Sequence, residues 1–347
     1  MIKPFKTIAI SRTDNIGDVV LALPVAGIIR QYYPDAEILF IGKAYTRAVI
    51  EASAFVNRFI DREAIINDPE LLKNLNIDVI IFVFPDHAIA SLSRKAGIKV
   101  RIGSFRKMQH LWNCTHRINF TRRRSNLHES QLNIKLLKPL GIPSEIERSA
   151  IPSLYGMKQI AILPLRLNKF LSKDKFNLII HPKSHGHGKE WPPEKYTQLC
   201  NQLPTDKFNI IFTGTSKERP FMEAHFNPLF EKFPSIHNAA GEMNLEEFIS
   251  FISCSDGLLA SGTGPLHIAA ALGKLSVGFF PPMAPVYAQR WENLGEKAFH
   301  FEPDKCLYNY ECKDIKACKC IESIGVGEVV DLLLREAGKE NVLQIKI

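Results

Sequence analysis

The chain has 347 residues, 46% of them hydrophobic and 23% charged, a balance that excludes a disordered chain and suits two globular domains of roughly 170 residues each. Its 44 Lys and Arg against 36 Asp and Glu give a net charge of +8, which favours an anionic partner: nucleic acid, a phosphorylated metabolite or an anionic membrane surface. No basic run alternates with aromatics, so nucleic acid ranks last, and the longest uncharged run, Gly257–Gly273, is too short and too broken by glycine to span a bilayer.

The N-terminus enters a strand-like stretch, Thr7–Ile10, with no leader pattern, so the cytoplasm is the expected compartment. Strand-like runs then recur at Thr7–Ser11, Glu37–Ile41, Arg58–Ile60, Asp78–Phe84 and Val100–Ile102. Amphipathic or Ala-rich segments separate them, and this alternation predicts a parallel sheet with helices on both faces. In the first crossover Ile16, Val19, Val20, Leu23 and Gly27 fall at helical steps, while Pro24 predicts a kink against the Val20 carbonyl. Just ahead lies Arg12-Thr13-Asp14-Asn15-Ile16-Gly17-Asp18, at the carboxyl end of the first strand, where open α/β sheets hold ligands. Asp14 reads as a helix cap. Asp18, one turn later, reads as a carboxylate able to reach a cleft and accept a proton.

Arg122, Arg123 and Arg124 form a basic run that fits a solvated face, a phosphorylated acceptor or an anionic membrane. His128–Leu140 reads as one helix ending at Gly141-Ile142-Pro143. The pattern weakens from Pro143 to about Lys175, which marks the domain junction. In the second half, Asn177–His181 is a strand leading into a basic loop, Pro182–Pro192, that holds Lys183, His185, His187 and Lys189. That loop suits an anion better than a metal, for no carboxylate partner is evident. Phe208–Phe212, Gly257–Ala260 and Ser276–Phe280 are further strands, and Asn244–Ser253 is a helix.

Ser261-Gly262-Thr263-Gly264-Pro265-Leu266-His267, followed by Ile268–Gly273, reads as strand, glycine turn and helix N-terminus. Unpaired amides and the helix dipole suit a diphosphate there. An ordinary strand-to-helix turn has the same look, because the spacing is neither a Walker loop nor a dinucleotide fingerprint. Among seven cysteines, Cys114, Cys200 and Cys254 read as scattered reduced thiols. Cys306, Cys312, Cys318 and Cys320 cluster; with five, five and one intervening residues they match no zinc ribbon and read as an unmetallated loop, with a tetrahedral four-thiol site as the alternative.

Three stretches carry a family likeness: Ile16–Pro24 (IGDVVLALP), Lys189-Glu190-Trp191-Pro192 and Thr263–Gly273. In this order and separation they resemble glycosyltransferase family 9, the lipopolysaccharide heptosyltransferases and their relatives, over most of the chain. The resemblance implies an α/β GT-B fold of two Rossmann-like domains facing across a cleft. Residues 1–160 would bind the acceptor and residues 161–325 the nucleotide sugar, with a helix and tail at 326–347 that could pack back on either domain, the first included. It implies inverting transfer of a heptose from an ADP-activated donor to the lipid A–Kdo core, in the cytoplasm or at the cytoplasmic face of the inner membrane. Asp18 falls on the family's general base and Lys189 on its phosphate-binding lysine. Arg12 matches a basic residue usual before the Gly-Asp motif and is placed at the donor diphosphate, with Thr263, Gly264, Pro265, Leu266 and His267 around it. Arg122, Arg123 and Arg124 are the acceptor-side candidates.

There is one departure. Relatives commonly carry Asp where this chain has Gly262, which leaves open another nucleotide sugar, or a non-catalytic binder of glycans or nucleotide sugars. Inverting transfer needs a base for the acceptor hydroxyl and charge compensation for the departing diphosphate. No Asp-x-Asp occurs in the chain, so Lys189, Arg12 and the amides at Thr263–Leu266 are expected to serve in place of a metal. No cofactor is expected beyond the nucleotide-sugar substrate.

Overall fold

The apolar runs become two parallel sheets. The computed structural model describes residues 5–105, 112–122, 125–184, 189–283, 285–303 and 319–344, and the chain divides into two units, Met1–Ile160 and Ala161–Ile347. The first unit holds β1 (Thr7–Ser11), β2 (Glu37–Gly42), β3 (Arg58–Asp61), β4 (Val79–Phe82), β5 (Val100–Ser104) and β6 (His116–Ile118). Their order is β3-β2-β1-β4-β5-β6 and every pairing is parallel. The second unit holds β7 (Phe176–His181), β8 (Phe208–Phe212), β9 (Ile236–Asn238), β10 (Gly257–Ser261), β11 (Leu275–Phe279) and β12 (Ala298–Phe301). They run β12-β11-β10-β7-β8-β9, again all parallel.

Both sheets have the doubly wound order, and the winding reverses between β1 and β4 in one and between β7 and β10 in the other. Ligands in such sheets collect beyond the carboxyl ends of the strands at the reversal. The turns after β1 and β10, the two singled out by sequence, are therefore where this topology puts chemistry. β1, β8, β10 and β11 are buried along their whole length, as unbroken apolar runs covered on both faces should be.

Several elements differ from the sequence reading. β6, β9 and β12 were not foreseen, because they are short and His116, Arg117, His237, Asn238 and His300 interrupt their apolar pattern. The first crossover is two helices, Ile16–Val20 and Leu23–Tyr32, with Pro24 in the first turn of the second. A missing N–H costs nothing in a first turn. At the break the Leu21 carbonyl accepts from Asn133 Nδ2 at 3.1 Å. Gly27, farther along, passes so close to the turn Pro152–Leu154 that a Cβ would sit 2.4 Å from the Leu154 carbonyl oxygen. The helix expected over His128–Leu140 is α-helical only over Glu129–Ile134 and tightens to a 3₁₀ helix over Lys135–Leu140. Pro139 has no N–H for the Lys135 carbonyl, and Gly141, at φ 74°, ends the element.

The last helix, Val326–Gln344, packs on the core of the second unit. Val326, Val329, Val330, Leu333 and Ala337 join the core of the second unit, together with Trp191, Tyr196 and Phe279. An apolar stripe of that size must be covered, and the adjacent face of the second sheet covers it. Among the described residues no helix is long and apolar enough to cross a membrane. Cys114 and Cys200 are buried free thiols and Cys254 is an exposed one. Burial pushes Cys114 up to about 12. Cys320 is buried, while Cys306, Cys312 and Cys318 lie outside the described residues.

Candidate active site

In the first unit the chain leaves β1 at Arg12, whose N–H donates to the Ile41 carbonyl at 3.1 Å and prolongs the sheet by one residue. The Arg12 side chain is only 4% exposed. Its Nε donates to Asp14 Oδ1 at 2.7 Å and its Nη2 to Asp18 Oδ1, while Nη1 lies 3.3 Å from Glu129 Oε1 and 3.4 Å from Asn133 Oδ1. Glu129 also accepts from Arg122 Nε at 3.0 Å, and Arg122 Nη2 donates to Asn133 Oδ1 at 3.1 Å and to the Val83 carbonyl at 3.3 Å. Two guanidiniums thus meet three carboxylates. Ions removed from water need partners of this kind, since an unpaired buried charge costs several kcal/mol.

This network changes one expectation and gives two other candidates their partners. Asp14 is not a helix cap: Asn15 occupies the cap, and the Asp14 carboxylate turns to Arg12. Burial pushes Asp14 up to about 6; Arg12 opposes that shift and Asp18 adds to it. Arg12 has each of its three nitrogens engaged inside the unit, and it braces Asp18. Burial alone would lower its pKa, but Asp14, Asp18 and Glu129 outweigh burial and raise it. Arg122 is bonded to Glu129 and Asn133; Arg123 and Arg124 lie outside the described residues.

Asp18 itself sits in the first turn of Ile16–Val20 with its side chain 15% exposed, so one oxygen is held by Arg12 and the group still meets solvent. Its other oxygen is 3.4 Å from Asn15 Nδ2. The neighbouring backbone is fixed by Thr13, whose Oγ1 donates to Asp86 Oδ2 at 3.1 Å. Asp86 also caps His87–Lys95 through the Ala88 and Ile89 amides and binds Arg62. Burial pushes the Asp86 carboxyl up, but hydrogen bonds from Arg62, Ile89 and Thr13 more than reverse this and lower it.

In the second unit β10 ends at Ser261 and the turn begins with Gly262, whose N–H donates to the Phe279 carbonyl at 3.2 Å. Thr263 is the extended N-cap (φ −137°, ψ 167°) of the helix Gly264–Ala271. Its Oγ1 makes no cap bond and is buried without a hydrogen-bond partner among the described residues. Pro265 has no N–H, so the amides of the first turn that lack an intrahelical acceptor are those of Gly264 and Leu266. His267 is 5% exposed and its N–H lies 3.4 Å from the Thr263 carbonyl.

Lys189 is half-buried and belongs to a segment fastened to this turn. The Trp191 N–H donates to Ser261 Oγ at 3.1 Å. The indole stacks on Phe279 with centroids 4.4 Å apart, meets Tyr196 edge-on at 5.1 Å, and donates from Nε1 to the Ile324 carbonyl at 3.3 Å. On the other side Glu190 accepts from the Ser184 N–H at 2.7 Å and from Lys183 Nζ. Lys189 therefore directly precedes two fixed residues, Glu190 and Trp191, the second of them tied to the end of β10. His185 and His187 lie outside the described residues.

With both half-sites in place, the likeness to known proteins can be weighed. Residues 70–314 match glycosyltransferase family 9 (heptosyltransferase). The chain belongs to that family. This family 9 glycosyltransferase is 26% identical to lipopolysaccharide core heptosyltransferase OpsX of Haemophilus influenzae, over 83% of each chain. It shares its fold with E. coli ADP-heptose lps heptosyltransferase II (TM-score 0.74, 19% identity, 97% of this chain and 99% of that one). E. coli heptosyltransferase WaaC, solved with ADP, superposes with a TM-score of 0.71 at 16% identity, covering 95% of this chain and 99% of that one. The matched span contains Lys189 and Thr263–His267, whereas Asp18 precedes it.

Sequence reasoning missed Glu129 and Asn133 in this family 9 enzyme. Their signal was an i,i+4 polar pair in a helix otherwise read through Leu132, Leu136 and Leu137. It also missed Ser261, whose hydroxyl ties Trp191 to the turn. Among the described residues no three His, Cys, Asp or Glu side chains are grouped to hold a metal ion.

Proposed function

We propose that the enzyme moves a heptose from an ADP-activated donor to the inner core of lipopolysaccharide, a lipid A–Kdo acceptor, with inversion and without an obligatory metal. The observation that carries this reading is the fastening of the Lys189 segment to the Gly264 helix through Trp191 and Ser261. In this reading the fastening brings a cation toward amides that favour a diphosphate. The ADP in the E. coli WaaC structure and the name of heptosyltransferase II are in keeping with an ADP-heptose donor.

In this mechanism Asp18 takes the proton of the acceptor hydroxyl. Arg12 holds Oδ1 of Asp18, which leaves Oδ2 to face the incoming alcohol. The hydroxyl oxygen then bonds to the anomeric carbon as the bond from that carbon to the diphosphate oxygen breaks, and the electron pair leaves with the nucleoside diphosphate. Lys189, the Gly264 and Leu266 amides and the Thr263 hydroxyl receive the growing negative charge. Fixed donors of this kind need no reorganisation as charge develops. The acceptor is a membrane glycolipid, so the working location is the cytoplasmic face of the inner membrane.

The test is to incubate the protein with ADP-heptose and a heptose-free core acceptor and look for a mass gain of one heptose, with and without EDTA. Gain in both tubes is expected. Gain only with added divalent ion overturns metal independence. A second donor has one observation in its favour: Gly262 offers no side chain, and Phe280 fills the space where one would stand. Calorimetry with ADP, UDP and GDP distinguishes the two donors.

A further inference from the structure

Leu21 ends the helix that carries Asp18, and its N–H donates to the Gly17 carbonyl at 3.0 Å. Its own carbonyl is stranded. The residue three positions on is Pro24, which has no N–H, and the amide four positions on, that of Val25, donates to the Ala22 carbonyl at 3.0 Å. Leu21 is fully buried, where an unpaired carbonyl is costly. Asn133 Nδ2 supplies the donor at 3.1 Å. The proline that breaks the crossover thereby frees the carbonyl that Asn133 takes.

The other end of the same carboxamide faces the charge network. Asn133 Oδ1 lies 3.1 Å from Arg122 Nη2 and 3.4 Å from Arg12 Nη1, and Asn133 is itself fully buried. Only one orientation of the amide works: reversed, its NH2 would meet two guanidiniums and its oxygen a carbonyl. One turn earlier, Glu129 Oε1 receives the same two guanidiniums, 3.3 Å from Arg12 and 3.0 Å from Arg122. Residues four apart share a helix face, so the helix Glu129–Ile134 offers Arg12 a carboxylate and an amide side by side. A capping box between His128 and Gln131 pins that helix at its start.

We propose that Asn133, with Glu129 beside it, is a positioning residue for the proton acceptor Asp18. The proposal rests on the reading of Asp18 as the base. Asp18 stands on a helix of five residues, too short to hold its own shape, and its Oδ1 is bound by Arg12 Nη2. Asn133 grips both supports at once: the end of the helix through Leu21, and the guanidinium through Oδ1. Among the described residues it makes no bond to Asp18 itself, so it acts through these two links. Proton transfer tolerates little error in such a placement, and a shift of about 1 Å can cost about 100-fold in rate. Loss of the amide therefore slows the chemical step and leaves the nucleotide-binding residues of the second unit as they are.

The experiment is a double-mutant cycle in the full chain: wild type, Asn133→Ala, Asp18→Asn and the double variant. Each is assayed for transfer from ADP-heptose to a heptose-free core acceptor, with ADP affinity taken from calorimetry. Asn133→Ala is expected to lower kcat at least tenfold while both KM values and the ADP affinity stay within twofold. Added to Asp18→Asn it should cost no more than a further twofold, because residues that act as a unit are non-additive. A full tenfold loss in the Asp18→Asn background would mean a general loosening of the fold and overturn the proposal. An unchanged kcat, or an equal fall in ADP affinity, would overturn it too. Where Asn133→Ala does not fold, Glu129→Gln, which keeps the shape and an acceptor oxygen, enters the cycle under the same criteria. If Asp18→Asn alone keeps wild-type turnover, the base role has failed and the positioning with it. An impaired Asp18→Asn beside an unaffected Asn133→Ala condemns the positioning alone. Absence of transfer in wild type strikes the proposed function itself, and this assignment falls with it.

Discussion

The side chain of Arg12 meets that of Glu129 at 3.3 Å, joining the end of β1 to a helix 117 positions further along the chain. Glu129 is 1% exposed and serves Arg122 as well. Glu129→Ala would leave two largely buried guanidiniums short of charge, a loss of about 3 kcal/mol in unfolding free energy, measurable by urea titration. Arg122→Ala should likewise lower stability. If it instead leaves stability untouched and raises only acceptor KM, Arg122 contacts substrate after all.

Asp18→Asn removes the proton acceptor and keeps the shape. Turnover should fall by about 10²–10⁴-fold, while calorimetric affinity for the nucleotide stays within a factor of two. A variant that retains a tenth of wild-type turnover would take the base role away from Asp18.

Lys189→Ala should weaken the nucleotide diphosphate by about tenfold to a hundredfold, the loss of one charge-assisted hydrogen bond, and lower turnover as well. Equilibrium binding of ADP checks it. An effect confined to the acceptor would put Lys189 elsewhere.

Asp14 and Asp86 respond to pH in opposite senses. Asp14 rises from 3.8 to about 6 in the folded protein. The native state therefore holds an extra proton between those values, and the Asp14 contribution to stability declines as pH rises from about 4 to about 6. Asp86 is lowered, so its contribution is present above 3.8 and disappears as pH falls through its folded value. Denaturant midpoints taken from pH 4 to 7 should show a downward component that Asp14→Asn abolishes. The same slope in wild type and variant would place that proton on another group.

Gly262→Asp brings a Cβ to 2.8 Å from the Phe280 ring, an overpacking of about 1–3 kcal/mol. Pairing it with Phe280→Val should restore part of that loss, giving a non-additive cycle by thermal melting. Strict additivity would mean the two positions do not share the space.

The features legible in sequence were local ones. The Asp18 turn and the Gly264 helix each lie within a dozen consecutive residues, so glycine placement and apolar spacing expose them. Pro24 announced a disturbed helix for the same reason. The partners of those turns are distant: Glu129 for Arg12, and Ser261, 70 positions away, for Trp191. No periodicity encodes such pairs. The carboxylate partners of Arg12 were not legible, because a basic residue next to a motif looks the same whether it faces a ligand or a buried carboxylate. Burial decides, and burial is a property of the folded chain. The terminal helix was ambiguous because an apolar stripe states that it must be covered and not by what.

Trp191 touches the donor turn through Ser261, the sheet through Phe279 and the chain just before the last helix through Ile324. Proteolytic trimming from the C-terminus would consequently be felt first as slack in the Lys189 segment. The last helix shares a core with Trp191, so it braces the β10 turn from behind the sheet.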